Sequence, residues 1–261
     1  MNNVEFNRGA ISAGDCVSNG WELVKGRYGM YLGMTLLTLV FVGCLPIINF
    51  FIMGPTLGGL YYVFLKDMRG EPVEFGMMFE GFKKFVPLMI VGLIQNIPGI
   101  IYNILSLGFN MAQIVTDLGS QRRNFYQSSS PDFPIAAGVL VIIAIVALVF
   151  IVFSILWYVA FFFSIPLVME RDLSPMEAIK LSARAGFSNI GGFILLVILL
   201  ALVGLLGVIM CFFGVLLISV PVTYAAYAVA YRQVFPYFER QAFNNMPPPP
   251  GTYGSNYGQG I

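Results

Sequence analysis

Histidine is absent from this chain of 261 residues, and cysteine and charge are scarce. Without histidine the chain lacks the commonest general base and the commonest metal ligand. Three cysteines, Cys16, Cys44 and Cys211, are too few and too far apart for a metal cluster or a disulfide framework. The net charge of +1 gives no basic surface for nucleic acid. We therefore expect no cofactor, no metal and no nucleic-acid partner.

Long runs without a charged residue determine the fold class. Only 10% of residues are charged and 58% are hydrophobic, whereas soluble domains carry about 25% charged residues. No Asp, Glu, Lys or Arg occurs in the ranges 28–65, 85–116, 133–169 and 185–231. Each run exceeds the roughly 20 residues that cross a bilayer as a helix. The sequence predicts an all-α, polytopic transmembrane helical bundle.

Turn signals and charge bias predict six crossings within a membrane domain at residues 28–240. The expected spans are 28–45, 47–65, 85–106, 135–168, 187–208 and 213–232. This arrangement leaves every lysine and arginine except Arg122 and Arg123 on one side, which the positive-inside rule assigns to the cytoplasm. We expect a multi-pass protein of the cell (cytoplasmic) membrane with both termini inside. Eight spans stay open as an alternative, although the run at 133–169 lacks a central turn.

The segments outside the spans also have recognisable patterns. Residues 1–27 contain no signal-peptide core, so the first span must direct insertion, and they form a cytoplasmic amphipathic segment. Residues 241–261 begin near four consecutive prolines and continue with glycine, asparagine and tyrosine, a composition typical of a disordered tail. We expect this tail to be cytoplasmic.

Three connectors show helical spacing of apolar residues. The first stripe is Val17, Trp21, Val24 and Tyr28. The second follows Pro72 and predicts a helix over 72–84, and the third predicts a helix over 175–185 that begins with Ser174 as cap, Pro175 and Glu177. We expect short cytoplasmic interfacial helices, with partner docking as the alternative.

A candidate internal repeat relates the first and last hairpins. A shift of 166 residues places Pro55 on Pro221, Tyr61 on Tyr227, Lys66 on Arg232 and Gly20 on Gly186. A second similarity, at a shift of 103 residues, aligns Asp67, Pro72 and Glu74 with Glu170, Pro175 and Glu177. Both patterns predict a hairpin repeat about an axis along the membrane normal.

Polar residues within the expected spans are few, and none of them is ionisable. Gln95 and Asn96 lie beside Pro98, which predicts a broken or kinked helix, and Asn103 follows. These amides define a speculative polar pocket, or alternatively they hydrogen-bond the backbone groups that the proline leaves free. Cys44 and Cys211 either pair or serve as small packing residues. Gly54, Gly58 and Gly59 predict a close-packing helix face.

The order of features resembles a group of uncharacterised bacterial six-span integral membrane proteins, similar to the membrane domain found beside some glycerophosphodiester phosphodiesterases. The resemblance covers most of residues 15–240. The catalytic barrel of those phosphodiesterases is missing, and the loop at 107–134 and the tail do not match. The residues that carry the resemblance are Gly54-Pro55 and Gly59, then Glu177-Ala178-Ile179 and Ser182, then Cys211, Gly214, Pro221 and Ala230-Tyr231-Arg232.

The expected function is that of a non-enzymatic integral membrane protein, a scaffold or interaction component of the cell envelope. Its expected partners are the lipid bilayer and other membrane proteins, with an undetermined oligomeric state. The alternative is a transporter of a small solute or lipid that uses a site at the helix break of Gln95, Asn96 and Pro98.

Overall fold

The computed structural model describes residues 5–43, 48–123, 133–210 and 213–236, and every element within them is helical. The described part of the chain is therefore all-helical. The elements are α1 (Ala13–Gly26), α2 (Tyr28–Gly43), α3 (Asn49–Asp67), a 3₁₀ helix (Phe75–Lys84), α4 (Phe85–Gln95), α5 (Ile97–Arg123), α6 (Phe133–Phe161), α7 (Ser164–Arg171), α8 (Pro175–Ser188), α9 (Ile190–Ile209), a π-helical turn (Val215–Ser219) and α10 (Val220–Val234).

Three described segments are long and apolar enough to cross a membrane: Val141–Arg171, Ile190–Ile209 and Val215–Val234. A fourth span arises if Phe75–Gln95 and Ile97–Met111, which meet at a bend of 53°, count as one. The last three predicted spans correspond to the three segments. The prediction at 85–106 corresponds to the bent pair.

The first two predicted spans do not meet the same criterion. α2 is 16 residues long, shorter than the roughly 20 that a span needs. α3 is 19 residues long, but small and polar residues interrupt its apolar side chains. The reason lies in its surroundings: residues 54–61 of α3 are all buried by protein. A helix enclosed by other helices does not need the hydropathy of one enclosed by lipid.

Small residues let α3 approach its neighbours closely, as the sequence predicts. A Cβ added at Gly54 would overlap the carbonyl oxygen of Leu88, and one at Gly59 would overlap that of Met78. At Gly58 an added Cβ would come within 2.7 Å of the Leu88 side chain. The prediction of a close-packing face is confirmed, and α3 forms the centre of the bundle.

The amphipathic connectors pack into the bundle, and one of the predictions about them was wrong in detail. The buried side of α1 consists of Ala13, Cys16, Gly20 and Val24, while Trp21 is 36% exposed. Small residues are selected here because α1 lies directly against the backbone of α10. The predicted helix at 72–84 begins at Phe75 and is a 3₁₀ helix.

The third connector agrees with its prediction. α8 begins at Pro175, where the Ser174 hydroxyl accepts from the Glu177 backbone N–H, and the Glu177 carboxylate accepts from the Ser174 backbone N–H. This reciprocal capping box satisfies two backbone donors that a helix start leaves unpaired. The helix continues to Ser188, three residues beyond the predicted end.

Three similar units close into a ring. Each has an amphipathic segment followed by two helical stretches: the units begin at α1, at the 3₁₀ helix and at α8. The amphipathic segment of the second unit packs on α3 of the first, α8 of the third packs on α6 and α7 of the second, and α1 packs on α10 of the third.

The same type of contact recurs at all three joints of this ring. A Cβ at Gly20 would lie 2.8 Å from the Ala226 nitrogen, one at Gly81 would overlap the Pro55 oxygen, and one at Gly186 would overlap the Val159 oxygen. At each joint a glycine lets two backbones touch. Because the same glycine contact recurs, the repeat that the two sequence shifts indicated includes a third unit.

Candidate functional site

Charged residues at the ends of several helices meet in hydrogen bonds and ion pairs around two carboxylates, Asp67 and Glu170. Asp67, the last residue of α3, accepts a hydrogen bond of 2.6 Å from the Tyr31 hydroxyl of α2. Arg27 lies 3.6 Å from the same carboxylate and donates to the carbonyl oxygen of Val73. The Asp67 side chain is only 13% exposed, so these partners replace most of its water.

Glu170, near the end of α7, has a similar set of partners. Its carboxylate accepts from the Tyr231 hydroxyl at 2.7 Å, from Arg232 at 2.5 Å and from Arg69 at 3.2 Å. The side chain is 14% exposed. Arg69 also pairs with Glu71 at 2.6 Å. The cluster joins the ends of α3, α7 and α10.

Sequence reasoning did not identify Asp67 and Glu170 as functional residues. The sequence feature that could have identified them is the internal similarity at a shift of 103 residues, which aligns these two carboxylates. In the structure each terminates a central helix and accepts from one tyrosine hydroxyl, and each has arginine beside it. Their partners come from distant parts of the chain, so sequence spacing alone does not reveal them.

A cavity of about 310 Å³ opens beside this cluster, where α3, the 3₁₀ helix and α7 converge. Its charged lining residues are Arg69, Lys83 and Lys84, together with Glu80, Glu170 and Asp172. Tyr62, Leu65 and Met169 make its apolar wall. Equal numbers of positive and negative groups face one space of the size typical of ligand pockets, about 300–1,000 Å³.

The lysines at this cavity are held differently. Lys84 forms an ion pair with Asp172 and donates to the carbonyl oxygen of Met169 at 2.8 Å, at the end of α7. A cation at a helix C-terminus is stabilised by the carbonyl groups exposed there. Lys83 pairs with Glu80 at 2.7 Å and has a side chain that is 73% exposed.

The predicted pocket at the helix break has a different construction. α4 ends at Gln95 and α5 begins at Ile97, with Pro98 as its second residue. Proline has no N–H to bond the carbonyl oxygen four residues earlier, which belongs to Ile94. The indole N–H of Trp157, on α6, donates to that oxygen at 3.0 Å. A side chain from another helix thus satisfies the broken backbone.

The three predicted pocket amides have separate surroundings. The Asn96 amide donates to the sulfur of Met53 at 3.0 Å, and the Asn103 amide donates to the Gly99 oxygen of its own helix at 2.8 Å. Asn103 is exposed, whereas the Gln95 side-chain oxygen is buried and has no hydrogen-bond partner among the described residues. Neither described cavity is lined by these amides, so the pocket stays a prediction.

Of the three cysteines, Cys44 and Cys211 lie outside the described residues, so their pairing stays a prediction. Cys16 is fully buried between α1 and α10, and its thiol donates to the Gln233 side-chain oxygen at 3.2 Å. Burial, with a smaller contribution from Asp15, raises the pKa of Cys16 to about 12. This thiol is protonated at neutral pH and is a packing residue.

In the described parts of the chain, no three residues of the metal-binding types His, Cys, Asp and Glu cluster closely enough to hold a metal ion. Comparison with protein-family models, with curated proteins and with solved structures finds no match. The resemblance stated from the sequence therefore stays a prediction. The functional interpretation depends on the geometry of this chain alone.

Proposed function

We propose that the protein is a non-enzymatic, multi-pass component of the cytoplasmic membrane that acts by binding other membrane proteins. Six crossings with both termini in the cytoplasm belong to this proposal. The ion pairs support a common side for the connectors, because Arg27 meets Asp67, while Arg69 and Arg232 both meet Glu170. These residues come from four segments: the one before α2, the one at the end of α3, the one at the end of α7 and the one at the end of α10. The proposed topology assigns all four to the cytoplasm.

The surface of α6 is the observation that carries the interaction role. Residues 141–156 have apolar side chains on every face, and all except Phe150 and Ser154 are exposed. Val146 is 61% exposed and Val149 is 64% exposed. A helix that is apolar all round is one that other helices or lipid must surround. α9, by contrast, turns Phe193, Leu196 and Leu200 into the bundle.

Site-specific photo-crosslinking in cells tests this role. A photoreactive residue at Val146 on α6 is compared with one at Ile198 on the exposed face of α9, which is 52% exposed. We expect a discrete protein adduct from position 146 and only lipid adducts from position 198. Lipid adducts alone from both positions would overturn the interaction role.

The topology is tested separately by single-cysteine labelling in intact cells at Ser129 and Ser255, both outside the described residues. An impermeant reagent should label position 129 and spare position 255. Equal labelling of both positions contradicts six crossings.

Transport is the second candidate function, and the observation that favours it is the buried side-chain oxygen of Gln95, which has no hydrogen-bond partner within the described ranges. The double variant Gln95→Ala, Asn96→Ala separates the two functions. An interaction protein retains its crosslinked partner in this variant, whereas a transporter that uses the break loses uptake of its solute while still folding. Purification in mild detergent with mass spectrometry of retained molecules complements this test. One stoichiometric lipid or solute without any protein partner would overturn the interaction role.

A further inference from the structure

The charged cavity beside Glu170 contains groups of both signs, some half-buried and some largely exposed to water. Glu170 is committed to Tyr231 and two arginines, and Lys84 is anchored at the end of α7. Lys83 and Asp172 differ from them, with side chains 73% and 79% exposed. The cavity thus offers a solvent-exposed ammonium group and a solvent-exposed carboxylate beside the more buried Glu170 and Lys84.

We propose that this cavity binds the headgroup of a phospholipid that carries both a phosphate diester and a primary ammonium, namely phosphoethanolamine. The phosphate is recognised by Lys83 and Lys84, while Arg69 lines the cavity and keeps its ion pairs with Glu71 and Glu170. The ammonium is recognised by the carboxylates of Asp172 and Glu80 on the same lining. A primary ammonium has three N–H donors for these carboxylates, as a lysine does. The proposal rests on the membrane placement proposed above.

The other headgroups fit this lining less well. A quaternary ammonium has no N–H to donate, and its usual recognition depends on several aromatic faces. Among the described residues that line the cavity, Tyr62 alone is aromatic. A glycerol headgroup carries no cation, so Asp172 and Glu80 would face the phosphate charge without compensation. Charge complementarity gives specificity mainly by penalising the wrong partner in this way.

The existing ion pairs do not prevent binding. Lys83 pairs with Glu80, and Asp172 pairs with Lys84, but the most exposed member of each pair is mostly in water. Exposed ion pairs contribute only about 0–1 kcal/mol because water and salt screen them. Exchange of these partners for a phosphate and an ammonium therefore costs little.

The position of the cavity favours a lipid over a free zwitterion. The chain segment that contributes Glu80, Lys83 and Lys84 to the cavity also carries exposed apolar side chains: Phe79 is 44% exposed and Val86 is 59% exposed. Acyl chains that leave the headgroup thus have apolar surface beside them. A soluble phosphoethanolamine makes the same polar contacts without that surface.

Native mass spectrometry of the full chain, with defined lipids added to delipidated protein, tests the proposal. We expect one phosphatidylethanolamine to be retained in preference to phosphatidylcholine and phosphatidylglycerol of the same acyl chains. Lys83→Gln and Asp172→Asn should each weaken retention about tenfold, a change of about 1.4 kcal/mol. Asparagine tolerates the left-handed backbone of residue 172, whose φ is 52°, so the fold should persist.

The matched control is Lys25→Gln. Lys25 and Glu22 form an exposed pair with the same three-residue spacing as Lys83 and Glu80, but on α1 and outside the cavity. Retention should be unchanged in this control. Soluble glycerophosphoethanolamine, added in excess, should compete only weakly with the lipid.

Equal retention of the three lipids, or full displacement of the lipid by the soluble compound, would overturn the headgroup site. The site would also be overturned if both cavity variants melt at the wild-type temperature and still retain the lipid as well as the wild type does. The crosslinking and labelling tests of the proposed function do not use these variants. Failure of the headgroup site is therefore distinguishable from failure of the interaction role or the topology.

Discussion

The hydrogen bond from Trp157 to the proline break gives the sharpest test of the fold. Trp157→Phe removes the indole N–H while leaving an aromatic ring that can still contact Phe153 and Phe161, whose ring centroids lie 5.4 and 4.8 Å away. The carbonyl oxygen of Ile94 then loses this donor, and Pro98, four residues later, has no N–H to replace it. Because this hydrogen bond is only partly buried, its loss should cost about 0.5–1.5 kcal/mol, the usual net contribution of such a bond.

This loss should be visible as a lower melting temperature in detergent. A change of 1 kcal/mol shifts the melting temperature by about 2–4 °C in proteins of 150–250 residues, so we expect a drop of several degrees. Trp21→Phe is the matched control, since Trp21 is the other tryptophan and lies on the exposed side of α1. Its melting temperature should change little.

A double-mutant cycle isolates the hydrogen bond from the packing. Pro98→Ala restores a backbone N–H that can bond the Ile94 oxygen, so the cost of Trp157→Phe should fall in that background. Coupled energies of this kind measure the interaction between two sites directly. The reasoning is refuted if Trp157→Phe costs no more than Trp21→Phe, or if its cost is the same with proline and with alanine at position 98.

Three further predictions concern the connectors. Gly81→Ala should destabilise the protein by about 1–3 kcal/mol or more, because the added methyl group overlaps the Pro55 oxygen. Gly76→Ala, the control, adds its methyl group to open space and should not destabilise the protein. Equal melting temperatures of the two variants contradict the close contact at Gly81. Cys16, with its pKa raised to about 12, should resist maleimide at neutral pH in a Cys44→Ser, Cys211→Ser background until the protein unfolds, and rapid labelling of folded protein refutes its burial. Hydrogen bonds from the Ser174 hydroxyl and backbone lower the pKa of Glu177, so this carboxylate should stabilise the start of α8 above the ordinary glutamate pKa of about 4.3. That stabilisation should be lost as the pH falls through the lowered pKa of the folded state. Ser174→Ala should reduce the acid-side change in melting temperature, and an unchanged pH profile in this variant contradicts the prediction.

Local rules in the sequence predicted the elements whose causes are local. The capping residues Ser174, Pro175 and Glu177 marked the start of α8 because a helix start is satisfied within four residues. Pro98 marked the break between α4 and α5 because the missing N–H is a property of one residue. The apolar runs indicated a membrane-type helical chain, since the burial of long apolar segments depends on composition alone.

Tertiary structure decided which surfaces and charges meet. The stripe containing Trp21 was predicted to face the lipid interface, and only the structure shows that Cys16 and Gly20 are buried, with Gly20 against the backbone of α10. α3 has too little hydropathy for a clear lipid-facing span because other helices enclose it. Asp67 and Glu170 acquired their tyrosine and arginine partners only when distant helix ends converged. Periodicity along a chain specifies that a face is buried, but the shape and charge of the neighbour determine which side chains that face requires.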